Sequence, residues 1–238
     1  MDASSARLGA VSNALSIAGI AFHRIAAMDA RVVPPDELAA YYDPARNRRG
    51  YFVPMTEGEI ACFLSHRKAW QTFLDSSDAP YAVFLEDDVE PLCSAGVIEE
   101  VLDFLNAERL PTLIKLFHPR AIGAGLSKPQ CNYSVSRPLV APLGAVAQAM
   151  NRAAAQALLN GTTRLFEPVD VAIQRWWDFG IRVRLVTPGL FDECSIKSGG
   201  STLHKPLSFP ARCQREFIRP VFQARRLAQS LIRRSPPD

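Results

Sequence analysis

Residues 81–91 read Tyr81-Ala82-Val83-Phe84-Leu85-Glu86-Asp87-Asp88-Val89-Glu90-Pro91, an apolar run that ends in three consecutive carboxylates. The apolar half predicts a buried β-strand that Pro91 helps to end. Ligands of open α/β sheets bind beyond the carboxyl ends of the strands, so a divalent cation and an anionic substrate are expected at this edge. Two plainer roles stay open: the acids cap the helix that begins near Ser94, or they lie solvated in a turn.

The composition is that of a folded domain. With 238 residues and 48% hydrophobic content, the chain can bury a sizeable core as one large domain or as one domain with a small appendage. The net charge of +3 hides an asymmetry, because seven arginines and the single acid Glu216 lie between Arg212 and Arg234. The rest of the chain is therefore slightly acidic.

The cysteine pattern and the hydropathy indicate the cellular compartment. The five cysteines are odd in number, widely spaced and without a Cys-x-x-Cys pair. This argues against a disulfide framework and against a zinc site, and it favours a reducing cytosol. No run approaches the roughly 18 apolar residues of a spanning helix. The segment Leu8–Phe22 is interpreted as an amphipathic helix and not as a signal peptide. We therefore expect a cytoplasmic protein.

The pattern along the chain alternates between helices and strands. Thr56 with Glu59 three residues later predicts a capping box that opens a helix, whereas the segment Ala30–Phe52 shows no periodicity and is predicted to be a surface excursion. The other predicted elements are helix Ala6–Ala18, strand Ala21–Ile25, strand Tyr81–Leu85, helix Ala95–Asn106, strand Thr112–Phe117, a loop from Gly123 to Val135, strand Leu139–Ala147, helix Arg152–Leu159, a helix from Pro168, strand Ile181–Val186 and a loop from Pro188 to Gly200. This order predicts an α/β fold with a mixed, mostly parallel sheet flanked by helices.

Residues 209–238 form a separate basic segment after a compact region that spans residues 1–208. Arginines alternate there with apolar residues such as Phe217, Leu227 and Leu231, which is typical of a basic amphipathic helix. Such a helix can lie on anionic lipid. Docking of the helix on the domain is an equally open alternative, and nucleic acid is not expected because no binding module is recognisable.

Two motifs carry a family resemblance. Gly58-Glu59-Ile60-Ala61-Cys62-Phe63-Leu64-Ser65-His66, followed by Trp70 and then by Tyr81 to Val89, resembles the central signature of the family 25 glycosyltransferases, the lipooligosaccharide galactosyltransferase-like enzymes. In that family a GEIGC-x-x-SH helix precedes an LEDD strand end. Weaker matches extend the resemblance over most of residues 7–203: Ala27–Ala30 to an AxDG segment, Leu113–Leu116 to an IxKL strand and Pro168–Asp170 to a PVD motif.

The resemblance implies a GT-A-like nucleotide-sugar transferase fold, a UDP-sugar donor, Mn²⁺ or Mg²⁺, and an inverting transfer. By the same similarity, Asp88 is the expected direct metal ligand, with Asp87 and Glu86 binding through water or contacting the ribose. A bridging cation would neutralise the charge that develops on the UDP leaving group. His66, Ser65 and Glu59 are the further candidates for the nucleotide pocket, although a histidine on an apolar helix also suits a core position.

An inverting displacement needs a general base, and Asp170 is the candidate. A helix N-cap is the alternative role for Asp170, and Glu193 and Asp192 are the alternative bases. His118 or His204 could add a metal ligand, and Lys115 could pair with a phosphate or with the acidic strand end. Trp176 and Trp177 could stack on an acceptor sugar or pack in the core.

Two departures from the family pattern stand out. The family's first strand, roughly VxxINL, is expected before the Arg-bearing turn, whereas this chain opens at Met1 and already resembles the following turn at Arg7. The aromatic residue of a GxxxYxxxR-like segment is replaced near Gln148. Both differences bear on nucleotide or acceptor contacts.

The sequence therefore predicts a metal-dependent inverting glycosyltransferase that moves a hexose, with galactose favoured, from a UDP-sugar to a lipopolysaccharide-type, lipid-linked saccharide. The basic tail would hold it at the anionic inner-membrane surface. Two alternatives remain open: a degenerate, non-catalytic binder of nucleotide sugars or saccharides, and a Mg²⁺-dependent phosphotransfer domain. Donor, acceptor and linkage depend on pocket shape.

Overall fold

The computed structural model describes residues 5–51, 53–117, 133–194 and 209–233, of which residues 5, 6 and 209–220 are described by their backbone alone. The helices are α1 Ser5–Ile17, α2 Pro35–Tyr41, α3 Pro44–Gly50, α4 Glu57–Ser76, α5 Ala95–Ala107, α6 Arg152–Gly161, α7 Val169–Ile173 and α8 Phe209–Ile232. The strands are β1 Tyr81–Leu85, β2 Val89–Pro91, β3 Thr112–Lys115, β4 Ser134–Ser136, β5 Ala147–Asn151, β6 Arg182–Thr187 and β7 Phe191–Glu193. A 3₁₀ turn, Trp176–Asp178, follows α7.

The main sheet is mixed, but most of its neighbouring strands are antiparallel. Its order is β1-β5-β3-β6-β4, and only β3 and β6 form a parallel pair. Strands β1, β3 and β6 still point the same way, because β5 runs antiparallel to both β1 and β3. The expected α/β class is therefore confirmed and the expected mostly parallel pairing is wrong. The reason is that β5 lies between two strands that alternation alone would have paired.

Both faces of this sheet are covered. Along β3 and β5, Leu113 and Met150 join a core formed with α2, α4, α6 and α7, whereas Ile114 and Ala149 join a second core formed with α1 and α5. The alternation follows from the two-residue period of a β-strand. Sequential apolar residues in these strands are thus buried on opposite sides, which gives three layers.

Helix α4 supplies most of the first core. Its start is a capping box, in which Thr56 Oγ1 accepts from the Glu59 N–H at 3.2 Å and a Glu59 carboxylate oxygen accepts from the Thr56 N–H at 2.7 Å. The helix buries Phe63 and Trp70 against the sheet, with the Trp70 ring fully enclosed. The predicted helix and its cap are confirmed. The same face carries Cys62 and His66 toward the end of β1.

Several boundaries differ from expectation. The predicted strand at 21–25 is irregular and largely exposed, because no described strand lies beside it. The segment 30–52 contains α2 and α3, whose first positions hold Pro35 and Pro44, residues that suit a helix start. The strand expected at 139–147 begins only at Ala147. The loop expected at 188–200 contains β7, which pairs with β2. Most of the predicted loop 123–135 lies outside the described residues.

The C-terminal helix α8 docks on the domain. Arg226 donates to a carboxylate oxygen of Glu167 at 2.6 Å, and Glu167, which is buried, also binds Arg175. Tyr51 packs edge-on against Phe222, with ring centroids 5.7 Å apart. These contacts therefore dock the second half of α8 on the domain. None of the helices in the described ranges is long and apolar enough to cross a bilayer.

Candidate functional site

Three strand ends meet at one edge of the sheet. Leu85, the last residue of β1, lies opposite Ala147, and Lys115, the last residue of β3, lies opposite Gln148. The carboxyl ends of β1 and β3 therefore meet the start of β5, and Glu86 continues the contact by donating its N–H to the Val146 carbonyl at 2.9 Å. This edge gathers the three acids that follow β1.

Asp88 is the most perturbed of these acids. Its Oδ1 is buried and has no hydrogen-bond partner among the described residues. Burial, together with the negative charges of Glu86, Glu193 and Asp87, raises the pKa of Asp88 to about 6. A buried carboxylate oxygen without a donor is unfavourable unless a ligand or cation supplies the missing interaction. The acidic cluster is therefore suited to a positive ion.

The neighbours of Asp88 are fixed in different ways. Asp87 is exposed and forms an ion pair with Arg7 of α1, with 3.2 Å between nitrogen and oxygen. The Asp88 carbonyl accepts from the Cys194 N–H at 2.7 Å, which extends the β2–β7 pairing. In that pairing Val89 lies opposite Glu193. The Glu193 carboxylate, which acts on Asp88, therefore comes from a segment about a hundred residues away in sequence.

Glu86 is turned toward helix α4. One of its carboxylate oxygens lies 3.0 Å from His66 Nε2. Burial by itself lowers the pKa of His66, but hydrogen bonds with Cys62 and Glu86 outweigh it and raise the pKa to about 10. The ligand atoms of Cys62, His66 and Glu86 lie within 4.8 Å of one another. Glu86 and His66, both expected at the nucleotide, thus contact each other.

Lys115 and Asp170 meet around the Gly144 peptide. The Lys115 ammonium, which is fully buried, donates to the Gly144 carbonyl oxygen, and Asp170 Oδ2 accepts from the Gly144 N–H at 3.0 Å. Burial lowers the pKa of Lys115 to about 8, although the charges of Asp170 and Glu86 act in the opposite direction. Asp170 also accepts from the Val171 N–H at 2.9 Å. It lies inside the first turn of α7, whose N-cap is Pro168, so the N-cap role is wrong.

Gln148 is buried beside this lysine. It lies between Phe84 and Lys115 in register, and neither its amide oxygen nor its amide nitrogen has a partner among the described residues. An unpaired buried amide costs about 1–3 kcal/mol. The position that departs from the family pattern is therefore a second unsatisfied polar group at the same edge.

Ser65 and Glu59 have structural contacts. Ser65 Oγ donates to the Ala61 carbonyl at 2.7 Å and accepts from the Met28 N–H at 2.9 Å, which ties the segment around Met28 to α4. Glu59 belongs to the capping box described above. Neither contact excludes a ligand, and both side chains remain candidates for the pocket.

Other candidates lie elsewhere. Trp176 is buried, packs edge-on against Trp177 with 5.5 Å between ring centroids, and lines a groove with Leu110 and Gly180 at the opposite edge of the sheet, before β3 and β6. Core packing accounts for this tryptophan pair. His118 and His204 lie outside the described residues.

The family follows from a sequence comparison. The model of glycosyltransferase family 25 (LPS biosynthesis protein) matches residues 1–119, which is half of the 238-residue chain and includes α4, β1 and the acids Glu86, Asp87 and Asp88. The chain belongs to glycosyltransferase family 25. A relative from Bos taurus, named probable inactive glycosyltransferase 25 family member 3, is 35% identical over 82 residues. That match covers 34% of this chain and 13% of the relative.

The description of the family names glycosyl transfer and lipopolysaccharide biosynthesis, and this description applies to the family as a whole. Three members of the site were not singled out by sequence reasoning: Cys62, Gly144 and Arg7. Cys62 stands four residues before His66, a spacing that places both on one helix face, and this signal was available. The backbone role of Gly144 had no local signal, because its partners lie 26 and 29 residues away.

Proposed function

We propose that this family 25 protein is a metal-dependent, inverting glycosyltransferase that moves a hexose from a UDP-sugar to a lipopolysaccharide-type acceptor, with galactose as the first donor to test. The observation that carries the proposal is Asp88, a half-buried carboxylate at the sheet edge with a raised pKa and a buried, unpaired Oδ1. Ligands of α/β sheets bind at such an edge. The lipid-linked saccharide is the proposed acceptor class.

The residues present fit a hard divalent cation. Asp88 offers the unpaired oxygen, and Asp87 offers an exposed carboxylate beside it. Oxygen ligands of this kind suit Mn²⁺ or Mg²⁺. When bound, such an ion would stabilise the negative charge of the diphosphate leaving group. Glu86, which is held by His66, is better placed to shape the pocket than to share the ion.

The remaining steps fall to side chains of this chain. Lys115 adds a buried positive charge next to the acidic edge, which favours an anionic donor once the cation has offset the carboxylates. Asp170 is the proposed general base for the acceptor hydroxyl, because its carboxylate is oriented by two backbone N–H groups and keeps free lone pairs. Ser65 and Glu59 stay proposed members of the donor pocket.

Calorimetric titration of UDP tests the donor site. Binding is expected with Mn²⁺ and not without it, and Asp88→Asn is expected to abolish the metal-dependent part. Asp103→Asn is the control, since Asp103 is an exposed carboxylate on α5. Failure of UDP to bind the folded protein with any divalent cation, or equal binding by the Asp88 variant, would contradict the proposal.

A non-catalytic nucleotide-sugar binder is the second candidate. The bovine relative is named probable inactive, and Gln148 replaces an aromatic residue of the family pattern. Metal-dependent UDP binding with no transfer to any saccharide acceptor and no donor hydrolysis would favour this candidate. Transfer of radiolabelled hexose to a lipopolysaccharide acceptor would exclude it.

We also propose a peripheral position at an anionic membrane surface in the cytoplasm. The docked face of α8 carries Arg226 and Ser230, whereas Val221 and Ile232 on the opposite side are 67% and 79% exposed. Exposed apolar residues flanked by arginine suit a lipid interface. Co-sedimentation with phosphatidylglycerol vesicles is expected, with loss on Ile232→Asp and none on Asp103→Asn. Equal sedimentation of the Ile232 variant would contradict it.

A further inference from the structure

The cluster of Cys62, His66 and Glu86 is chemically unlike the carboxylates next to it. It combines a thiol, an imidazole and one carboxylate, whereas the neighbouring cluster of Asp87, Asp88 and Glu193 offers oxygen alone. Thiolate and imidazole ligands select zinc-like transition ions, and carboxylate oxygens alone select Mg²⁺ or Mn²⁺. The two clusters are therefore expected to bind different metal ions.

The geometry of the cluster comes from two rigid elements. Cys62 and His66 stand four residues apart on α4, so their side chains leave the same face of the helix one turn apart. Glu86 follows the last residue of β1, and its carboxylate already lies 3.0 Å from His66 Nε2. Two ligands from one helix turn and a third from a neighbouring element form a chelate without any change in the backbone.

The distances are close to those of a bound ion. Zinc ligands at about 2.0–2.3 Å from the ion lie roughly 3.3–3.8 Å from one another in a tetrahedron. The three ligand atoms here lie within 4.8 Å of one another. Small side-chain rotations that bring the three atoms to that spacing therefore complete the set. His66 packs against the enclosed Trp70, with 6.2 Å between ring centroids, which limits the ring to few orientations.

We propose that Cys62, His66 and Glu86 bind a zinc-class transition ion, with the fourth position left for water or a substrate oxygen. The ion joins the middle of α4 to the end of β1, next to the acidic cluster. A search of the sequence for paired cysteines misses this site, because the site has one cysteine and its third ligand comes from another element. The site is separate from the proposed donor cation and does not rest on the transferase activity.

Cobalt titration of the full chain tests the site without nucleotide. Protein freed of metal is titrated with Co²⁺ under reducing, anaerobic conditions, and a thiolate-to-cobalt charge-transfer band in the near ultraviolet is expected to saturate at stoichiometric Co²⁺. Zn²⁺ is expected to displace the band. Cys62→Ser should remove it, whereas Cys93→Ser, which changes a half-buried free thiol on the other side of the sheet, should keep it.

Two further variants separate the possible results. His66→Gln is expected to weaken Zn²⁺ binding by at least about tenfold, since it removes a direct ligand. Asp88→Asn is expected to retain the band and lose metal-dependent UDP binding, which distinguishes this site from the donor site. Absence of the band in excess Co²⁺, or its survival in Cys62→Ser, would overturn the proposal and leave a hydrogen-bonded cluster only.

Stability gives a second readout that does not depend on the Cys62 variant. Zn²⁺ that binds the folded state raises the melting temperature by mass action. The rise is expected in the wild type and in Cys93→Ser, and it should disappear in Glu86→Gln, which keeps the size of the side chain and removes the charge. An equal rise in Glu86→Gln would also count against the site.

Discussion

Lys115 and Asp170 hold the two polar groups of one residue: the Lys115 ammonium donates to the Gly144 carbonyl, and Asp170 accepts from the Gly144 N–H at 3.0 Å. Gly144 has a φ of +87°, a conformation that glycine adopts without strain. The loop before β5 is thereby fixed between β3 and α7. A buried cation and a proposed base are positioned through the same peptide.

Substitution of Gly144 tests this arrangement. A Cβ at Gly144 would lie 2.8 Å from a ring carbon of Phe117, and alanine would also be strained at positive φ. Gly144→Ala is therefore expected to lower the free energy of unfolding by about 3 kcal/mol. Gly180→Ala is the control, because Gly180 has a φ of +63° and nothing within 4 Å of the added carbon. It should cost about 1–2 kcal/mol. Urea unfolding measures both, and equal losses would contradict the clash.

Asp170→Asn tests the proposed base. The asparagine oxygen can still accept from the Gly144 N–H, whereas the amide nitrogen cannot accept from the Val171 N–H. A modest loss of stability is therefore expected with the fold and UDP binding retained, but the side chain can no longer take a proton. The transfer rate is expected to fall by about 10²–10⁴. Glu193→Gln is the comparison, since Glu193 lies beside Asp88 and is one of the two alternative bases. A large loss in Glu193→Gln with none in Asp170→Asn would reassign the role.

Asp88→Asn should stabilise the metal-free protein at pH 7. The pKa of Asp88 is raised from 3.8 to about 6, so the folded state binds a proton that the unfolded state has already released between these values. The wild type therefore loses stability as pH rises from about 4 to about 6. With allowance for partial exposure, the variant is expected to gain about 1–3 kcal/mol at pH 7 and nothing below about pH 4. Thermal unfolding across this range measures the gain, and a less stable variant at pH 7 would contradict it.

Glu167→Ala tests the docking of α8. Glu167 is buried between Arg175 and Arg226, and its removal leaves two largely buried guanidinium groups without their shared carboxylate. The expected loss is about 3–5 kcal/mol in urea unfolding. Asp178→Ala is the matched control, because Asp178 also pairs with Arg175 but is partly exposed. It should cost about 1 kcal/mol or less. A similar loss in both variants would mean that Glu167 does not anchor the helix.

Local signals in the sequence predicted the elements that depend on neighbouring residues. The capping box at Thr56 and the acids after β1 were both recognisable, since each is encoded within a few positions. The short helices α2 and α3 were missed because Pro35 and Pro44 were interpreted as loop residues, although proline favours the first helical turn.

Features that depend on distant residues could not be predicted in this way. Strand β5 contains the polar residues Gln148 and Asn151, whose burial is decided by the neighbouring strands. The contact between His66 and Glu86 joins residues 20 positions apart. The proximity of Glu193 to Asp88 requires the pairing of β2 with β7, two three-residue strands that have too few positions to show a period.

The position of β5 also constrains how the chain acquires its structure during synthesis. Strands β1 and β3 both pair with β5 and not with each other. A nascent chain that has emerged only as far as residue 119, the part that matches the family model, would expose the edges of β1 and β3 that pair with β5. Strands β1 and β3 become parts of one sheet only after residues 147–151 have left the ribosome, and until then chaperone protection of these edges is expected to limit aggregation.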